Sequence, residues 1–119
     1  MTKTIELNMW ERLLAAGVLP GEDNLVTLRL IRKMKERLSP SPEEIDRCKM
    51  VPNEDGRGLK TWDNLEMLKT VELEFHEKEV ELVKKAIEKL DSQKKCLDPH
   101  IEVYEKFVGE EDGNTNTES

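Results

Sequence analysis

Thr70-Val71-Glu72-Leu73-Glu74-Phe75 sets Val71, Leu73 and Phe75 on one side of an extended chain and Glu72 and Glu74 on the other. This period-two alternation is that of a strand with one buried face. Near the start, Lys3-Thr4-Ile5-Glu6-Leu7 alternates in the same way with Ile5 and Leu7 inward, so the two segments are expected to pair. Asn8 then reads as a helix N-cap, and Glu11 three residues later completes a capping box. The helix it opens, Met9 to Ala16, puts Trp10, Leu13 and Leu14 on one side, and Gly17 reads as a left-handed stop before Val18-Leu19-Pro20.

Two longer amphipathic helices flank these strands in sequence. After the Asn24 cap, residues 25 to 38 wind Val26, Leu30, Ile31, Met34 and Leu38 onto one arc, with Arg29, Arg32, Lys33 and Lys35 opposite. From Arg29 to Arg37 five basic residues stand against Glu36, a local charge of plus 4. Residues 77 to 95 repeat the helical spacing with Val80, Val83, Ala86, Ile87 and Leu90. Between the two, Ser41, Pro42 and Glu44 start a short helix to about Cys48. Met50-Val51-Pro52 and Leu59-Lys60-Thr61-Trp62 then flank an Asp55-Gly56 turn, a hairpin in which Pro52 confines its strand to an edge or to a poorly regular arm. Asp98-Pro99 begins a last helix carrying Ile101, Val103, Tyr104, Phe107 and Val108, and residues 109–119 read as a disordered acidic and polar tail. The expected fold is a single α+β domain over 1–108. Strands 3–7 and 70–75 join the hairpin and pack against helices 25–38 and 77–95, with short accessory helices.

At 119 residues, 36% apolar and 38% charged, the chain has the size of one domain. Lys and Arg total 19 against 26 Asp and Glu, a net charge of minus 7 that excludes a generally polyanion-seeking protein. The charge is unevenly placed: residues 1–40 hold 7 basic and 5 acidic groups, and the remainder holds 12 and 21. No apolar run has the length of a membrane span, and MTKTIELNMW lacks a signal-peptide core, so a soluble cytoplasmic protein without membrane contact is expected. Cys48 and Cys96 have apolar neighbours and are expected to be reduced, buried thiols.

Catalytic signatures are missing. Asp55-Gly56-Arg57-Gly58 lacks the spacing and the Lys-Ser/Thr of a phosphate loop and reads as a turn. No Gly-x-Ser-x-Gly elbow occurs, and a nucleophile with a histidine base would have to combine Cys48 or Cys96 with His76 or His100. The spacing Cys96-x3-His100 occurs in zinc sites, with Cys48 and His76 as the residues that could complete a tetrahedral set. The closely spaced cysteine pairs of closed zinc sites are missing, however. His76 reads as an exposed residue at a strand-to-helix junction and His100 as a first-turn helix residue. The abundant carboxylate pairs read as solvated, equivalent groups. No enzymatic activity, cofactor or metal is expected.

What remains is binding. One candidate partner surface is acidic, Glu72, Glu74, Glu77, Glu79 and Glu81, suited to a basic groove on a partner. The other is the basic helix face, Arg29, Arg32, Lys33, Lys35 and Arg37. A helix 25–38, a short helix 42–48 and a hairpin follow the order of a winged helix, which makes DNA binding through the basic face the alternative function. The acidic start of the short helix and Glu54 and Asp55 at the hairpin tip oppose it. Among Trp10, Trp62, Tyr104, Phe107 and Phe75 at least three are expected in the core, and any left exposed would be an interface anchor. A homodimer would leave the stripe Val80, Val83, Ile87 and Leu90 open in the monomer.

Ile5-Glu6-Leu7-Asn8-Met9-Trp10-Glu11-Arg12-Leu13-Leu14, Gly17-Val18-Leu19-Pro20, Asn24, Val26-Thr27-Leu28 and Ile31-Arg32 resemble small proteins encoded by bacteriophages and prophages, as does Tyr104-Glu105-Lys106-Phe107. The resemblance spans residues 5–38 and 96–108. It implies a small protein acting in a bacterial host cytoplasm by binding a host protein, here as a regulator or inhibitor of a transcription or antiviral-defence complex.

Overall fold

In a computed structural model, which describes residues 2–109, the two alternating segments do pair. The order is β1 (Thr2–Asn8), α1 (Met9–Val18), α2 (Leu25–Leu38), α3 (Pro42–Arg47), β2 (Val51–Pro52), β3 (Leu59–Thr61), α4 (Asn64–Met67), β4 (Thr70–His76), α5 (Glu77–Ser92) and α6 (Asp98–Val108). Strands β1 and β4 run antiparallel in the register Ile5↔Leu73, Glu6↔Glu72, Leu7↔Val71. Ile5, Leu7 and Phe75 are buried, whereas Thr4, Glu6, Glu72 and Glu74 face outward, so one face is packed and the other is wet. The helices cover the packed face with Ala15, Ile31, Met34, Leu38, Val83, Ile87, Val103 and Phe107. The fold is α+β, as its patterns imply.

The expected hairpin forms, but as a second two-stranded sheet of its own and not as an extension of β1–β4. Pro52 removes a donor and the register shifts between Val51 and Pro52, which leaves the pairing short. Gly56 and Gly58 turn it at φ 78° and 70°, values that favour glycine. Beneath it lies a smaller cluster of Met9, Cys48 and Met67, with Trp10, Leu13, Met50 and Leu59 packed against it. Met67 comes from α4, an element sequence patterning passed over although Asp63 caps it and accepts from the Glu66 N–H at 3.2 Å.

Several boundaries shift for identifiable reasons. Helix α1 passes through Gly17 and stops at Leu19, because Pro20 disfavours the helical region for the residue before it; Leu19 sits at φ −68°, ψ 139°. Helix α5 ends at Ser92, short of residue 95, and Lys94 takes a left-handed φ of 59°. In α2 the buried line is Ile31, Met34 and Leu38, which turns Val26 to solvent at 75% exposure alongside Leu25 at 69%. Ile101 is exposed too, while Val103 and Phe107 face the core. Phe75 and Phe107 are the fully buried aromatics, their centroids 5.2 Å apart. Trp10 and Tyr104 are half-buried, and Trp62 is exposed, its edge against Trp10 at 5.4 Å. Val83 and Ile87 are spent on the core, with Val80 and Leu90 half-buried, so the stripe expected for a dimer is not open. Of the expected tail 109–119, all but Gly109 lies outside the described residues. Gly109 ends α6 at φ 102°, its N–H donating to the Glu105 carbonyl. Among the described residues no helix is long and apolar enough to cross a membrane.

Arg12, 4% exposed, joins three helices. Its Nε donates to the Leu38 carbonyl at 3.1 Å and its Nη2 to the Ser39 carbonyl at 2.8 Å, satisfying acceptors at the end of α2. Nη1 and Nη2 grip the Glu44 carboxylate at 2.8 and 3.0 Å. Glu44 also accepts from the Ser41 N–H as part of the α3 capping box. The Arg12 hydrogen bonds outweigh burial, and with the Ser41 N–H they hold the Glu44 carboxyl at about 2 against an ordinary 4.5. Truncating Arg12 strands this carboxylate, so Arg12→Ala should lower stability by about 3–5 kcal/mol in urea unfolding. A carboxyl with a depressed folded pKa stabilises above its unfolded value and loses that contribution as pH falls. Stability of the parent should therefore drop between pH 4.5 and about 2 more steeply than that of Glu44→Gln.

Candidate partner-binding surfaces

The β1–β4 register builds the acidic surface. Glu72 and Glu74 are two residues apart on the outward face of β4, and Glu6 stands directly across from Glu72. None of the three makes an ion pair among the described residues. Like charges placed opposite one another in a sheet cost stability. Glu6 was missed from the sequence because its membership depends on which residue of β4 it faces; the alternation of Lys3 to Leu7 already turned it outward.

The other expected members of the acidic face go elsewhere. Glu77 and Glu81 are exposed on α5 and line a separate cleft of about 670 Å³ with Lys3, Lys78 and Lys84, and Glu81 pairs with Lys85 at 4.0 Å. Lys3 itself reaches the Phe107 carbonyl at 2.7 Å, a cation at a helix C-terminus. Glu79 is 1% exposed and is not on the surface at all. It is the third helical residue of α5, so Oε1 accepts from the His76 N–H at 2.8 Å. Arg37 supplies two further bonds, Nη1 to Oε1 and Nη2 to Oε2, both at 2.8 Å. Burial alone would push this carboxyl up, and the Arg37 and His76 donors bring it below the usual carboxylate range.

Arg37 correspondingly leaves the basic face. It packs over the Phe75 ring at 5.3 Å and also donates to the Glu74 carbonyl at 2.9 Å. Arg29, Arg32, Lys33 and Lys35 remain exposed and make no ion pair among the described residues. They share the outward side of α2 with Leu25 and Val26, so the surface is apolar and basic together, which the expected burial of Val26 concealed.

Cys96 and His100 line one groove between α5 and α6, whereas Cys48 and His76 lie elsewhere. Cys48 is buried in the small cluster, and burial pushes its thiol up. Cys96, expected to be buried, is exposed because it follows the end of α5, and its Sγ lies 3.6 Å from the Ile87 carbonyl. His76 is exposed at the start of α5, as its position implied. His100 is 6% exposed, and its Nδ1 accepts from the Leu97 N–H at 2.8 Å, the role a glutamate plays in a capping box. Among the described residues no group of three or more His, Cys, Asp or Glu is placed to hold a metal ion.

Comparison of the chain with protein-family models, with curated proteins and with solved structures gives no match. The surface chemistry itself therefore carries the functional reading. If the Glu6–Glu72 opposition is retained for binding, relieving it should help folding. Glu72→Lys is expected to stabilise the protein by a few tenths to about 1 kcal/mol in urea unfolding.

Proposed function

We propose that this chain is a non-catalytic protein-binding module that docks the acidic sheet face, Glu6, Glu72 and Glu74, on a basic surface of a host protein. In that reading it is a phage-encoded regulator or inhibitor of a host transcription or antiviral-defence complex, the setting its resemblance implies. The observation that supports it is the register: three outward carboxylates stand together with no cation paired to them among the described residues. An arrangement that opposes folding but leaves a concentrated negative field favours a charged partner approached in one orientation.

DNA binding through α2 has an observation of its own, the four exposed cations Arg29, Arg32, Lys33 and Lys35, which make no ion pair among the described residues. Leu25 and Val26 on the same face suit a protein surface better than phosphates. The neighbouring α3 carries Glu43 and Glu44 in its first turn.

Tagged protein incubated with bacterial lysate, with and without nuclease, separates the two readings. The parent and an Arg29/Arg32/Lys33/Lys35→Glu variant should retain the same stoichiometric protein after nuclease, and a Glu6/Glu72/Glu74→Lys variant should lose it. Capture that disappears with nuclease and with the α2 variant would install DNA binding instead. Capture indifferent to both variants would eliminate both surfaces.

A further inference from the structure

Helices α5 and α6 leave an open groove of about 540 Å³ between them, on a different part of the molecule from the acidic sheet face. Ile87, Ile101 and Tyr104 supply its apolar lining. Glu88, Asp91 and Glu105 supply three carboxylates, and no Lys or Arg is among the lining residues. Glu88 accepts from the Tyr104 hydroxyl at 2.8 Å, and none of the three carboxylates makes an ion pair among the described residues. Exposed Ile101 and neighbouring Leu97 extend the apolar strip to the surface.

The chain carries the converse surface. Leu25, Arg29 and Lys33 follow one another at four-residue spacing along α2 and therefore form one line, flanked by Val26 and Arg32. Every one of these five is exposed; the next residue of the line, Arg37, is turned aside to Glu79, and Glu36, three residues after Lys33, adds one carboxylate to the same face. The buried line Ile31, Met34 and Leu38 fixes α2 against the core, so its outward face points away from the rest of its own chain. It can meet such a groove only on another molecule.

We infer that the occupant of the α5–α6 groove is α2 of a second copy of this chain. Leu25 and Val26 enter the apolar strip, and Arg29 and Lys33 meet Asp91 and Glu105. Because donor and acceptor surfaces differ, the contact is head to tail, and it would close as a symmetric pair only if both grooves are filled reciprocally. It is independent of the acidic sheet face and of any host partner.

Light scattering across a concentration series should show masses above the monomer at low salt, falling toward the monomer as salt screens the charges. Arg29→Glu with Lys33→Glu, and separately Asp91→Lys with Glu105→Lys, should each weaken association at least about tenfold through like-charge contact. Mixing the two variants should restore it, since the acidic α2 of one then faces the basic groove of the other. Val26→Cys adds a surface thiol without touching the core, and diamide should oxidise it to an intermolecular disulfide with Cys96, which lines the groove. A parent that stays monomeric at about 1 mM and low salt, the weak limit of a specific contact, overturns the inference. So does a mixture of folded variants that fails to associate, or the absence of a 26–96 disulfide.

Discussion

Three glutamates at the third position of a helix carry much of the organisation of this protein. Glu11, Glu44 and Glu79 each turn back to accept the N–H of their own N-cap residue, Asn8, Ser41 or His76. Each then receives a cation from a distant element: Lys106 on Glu11 at 2.7 Å, Arg12 on Glu44 and Arg37 on Glu79. The cap holds the carboxylate in one orientation, so the incoming cation meets a prearranged acceptor, and the cation in turn makes burial of the carboxylate tolerable. The pairs bind α6 to α1, α1 to α3 and α2 to α5. With the sheet covered on one face and the helices joined in this way, the remaining charges are left at the surface.

Those remaining charges are sorted by the same arrangement. The pair beside Phe75 withdraws Glu79 from the acidic surface and Arg37 from the basic one. Glu77 and Glu81 share a separate cleft with Lys3, Lys78 and Lys84. Among the described residues the outer sheet face, the outward side of α2 and the groove between α5 and α6 each carry charged groups that make no ion pair. Each is charged and two of the three are also apolar, a combination suited to the recognition proposed above.

Caps and alternation were legible in the amino-acid order. Asn8 with Glu11, Ser41 with Glu44, the strands around Ile5 and Leu73, the two long helices and the Asp55-Gly56 turn all follow from interactions spanning two to four residues. The α+β class follows with them. Helix ends were legible where a proline acts, as at Leu19 before Pro20, once its restriction is weighed above the freedom of Gly17.

What the order of residues determined by itself was therefore local: which segments are strands or helices, which side of each strand is apolar, and where most helices begin. Tertiary structure alone decided that Glu6 faces Glu72 and that Glu79 is buried under Arg37. It also decided that Val26 and Ile101 are outside and that Cys96 lines a groove while Cys48 is enclosed. The physical reason is that a helical wheel specifies the relative angles of side chains but not the absolute rotation of the helix against its neighbours. Likewise, alternation specifies the two faces of a strand but not the register of its partner. Both depend on contacts between residues far apart in the chain, and in this protein those contacts place the candidate binding surfaces.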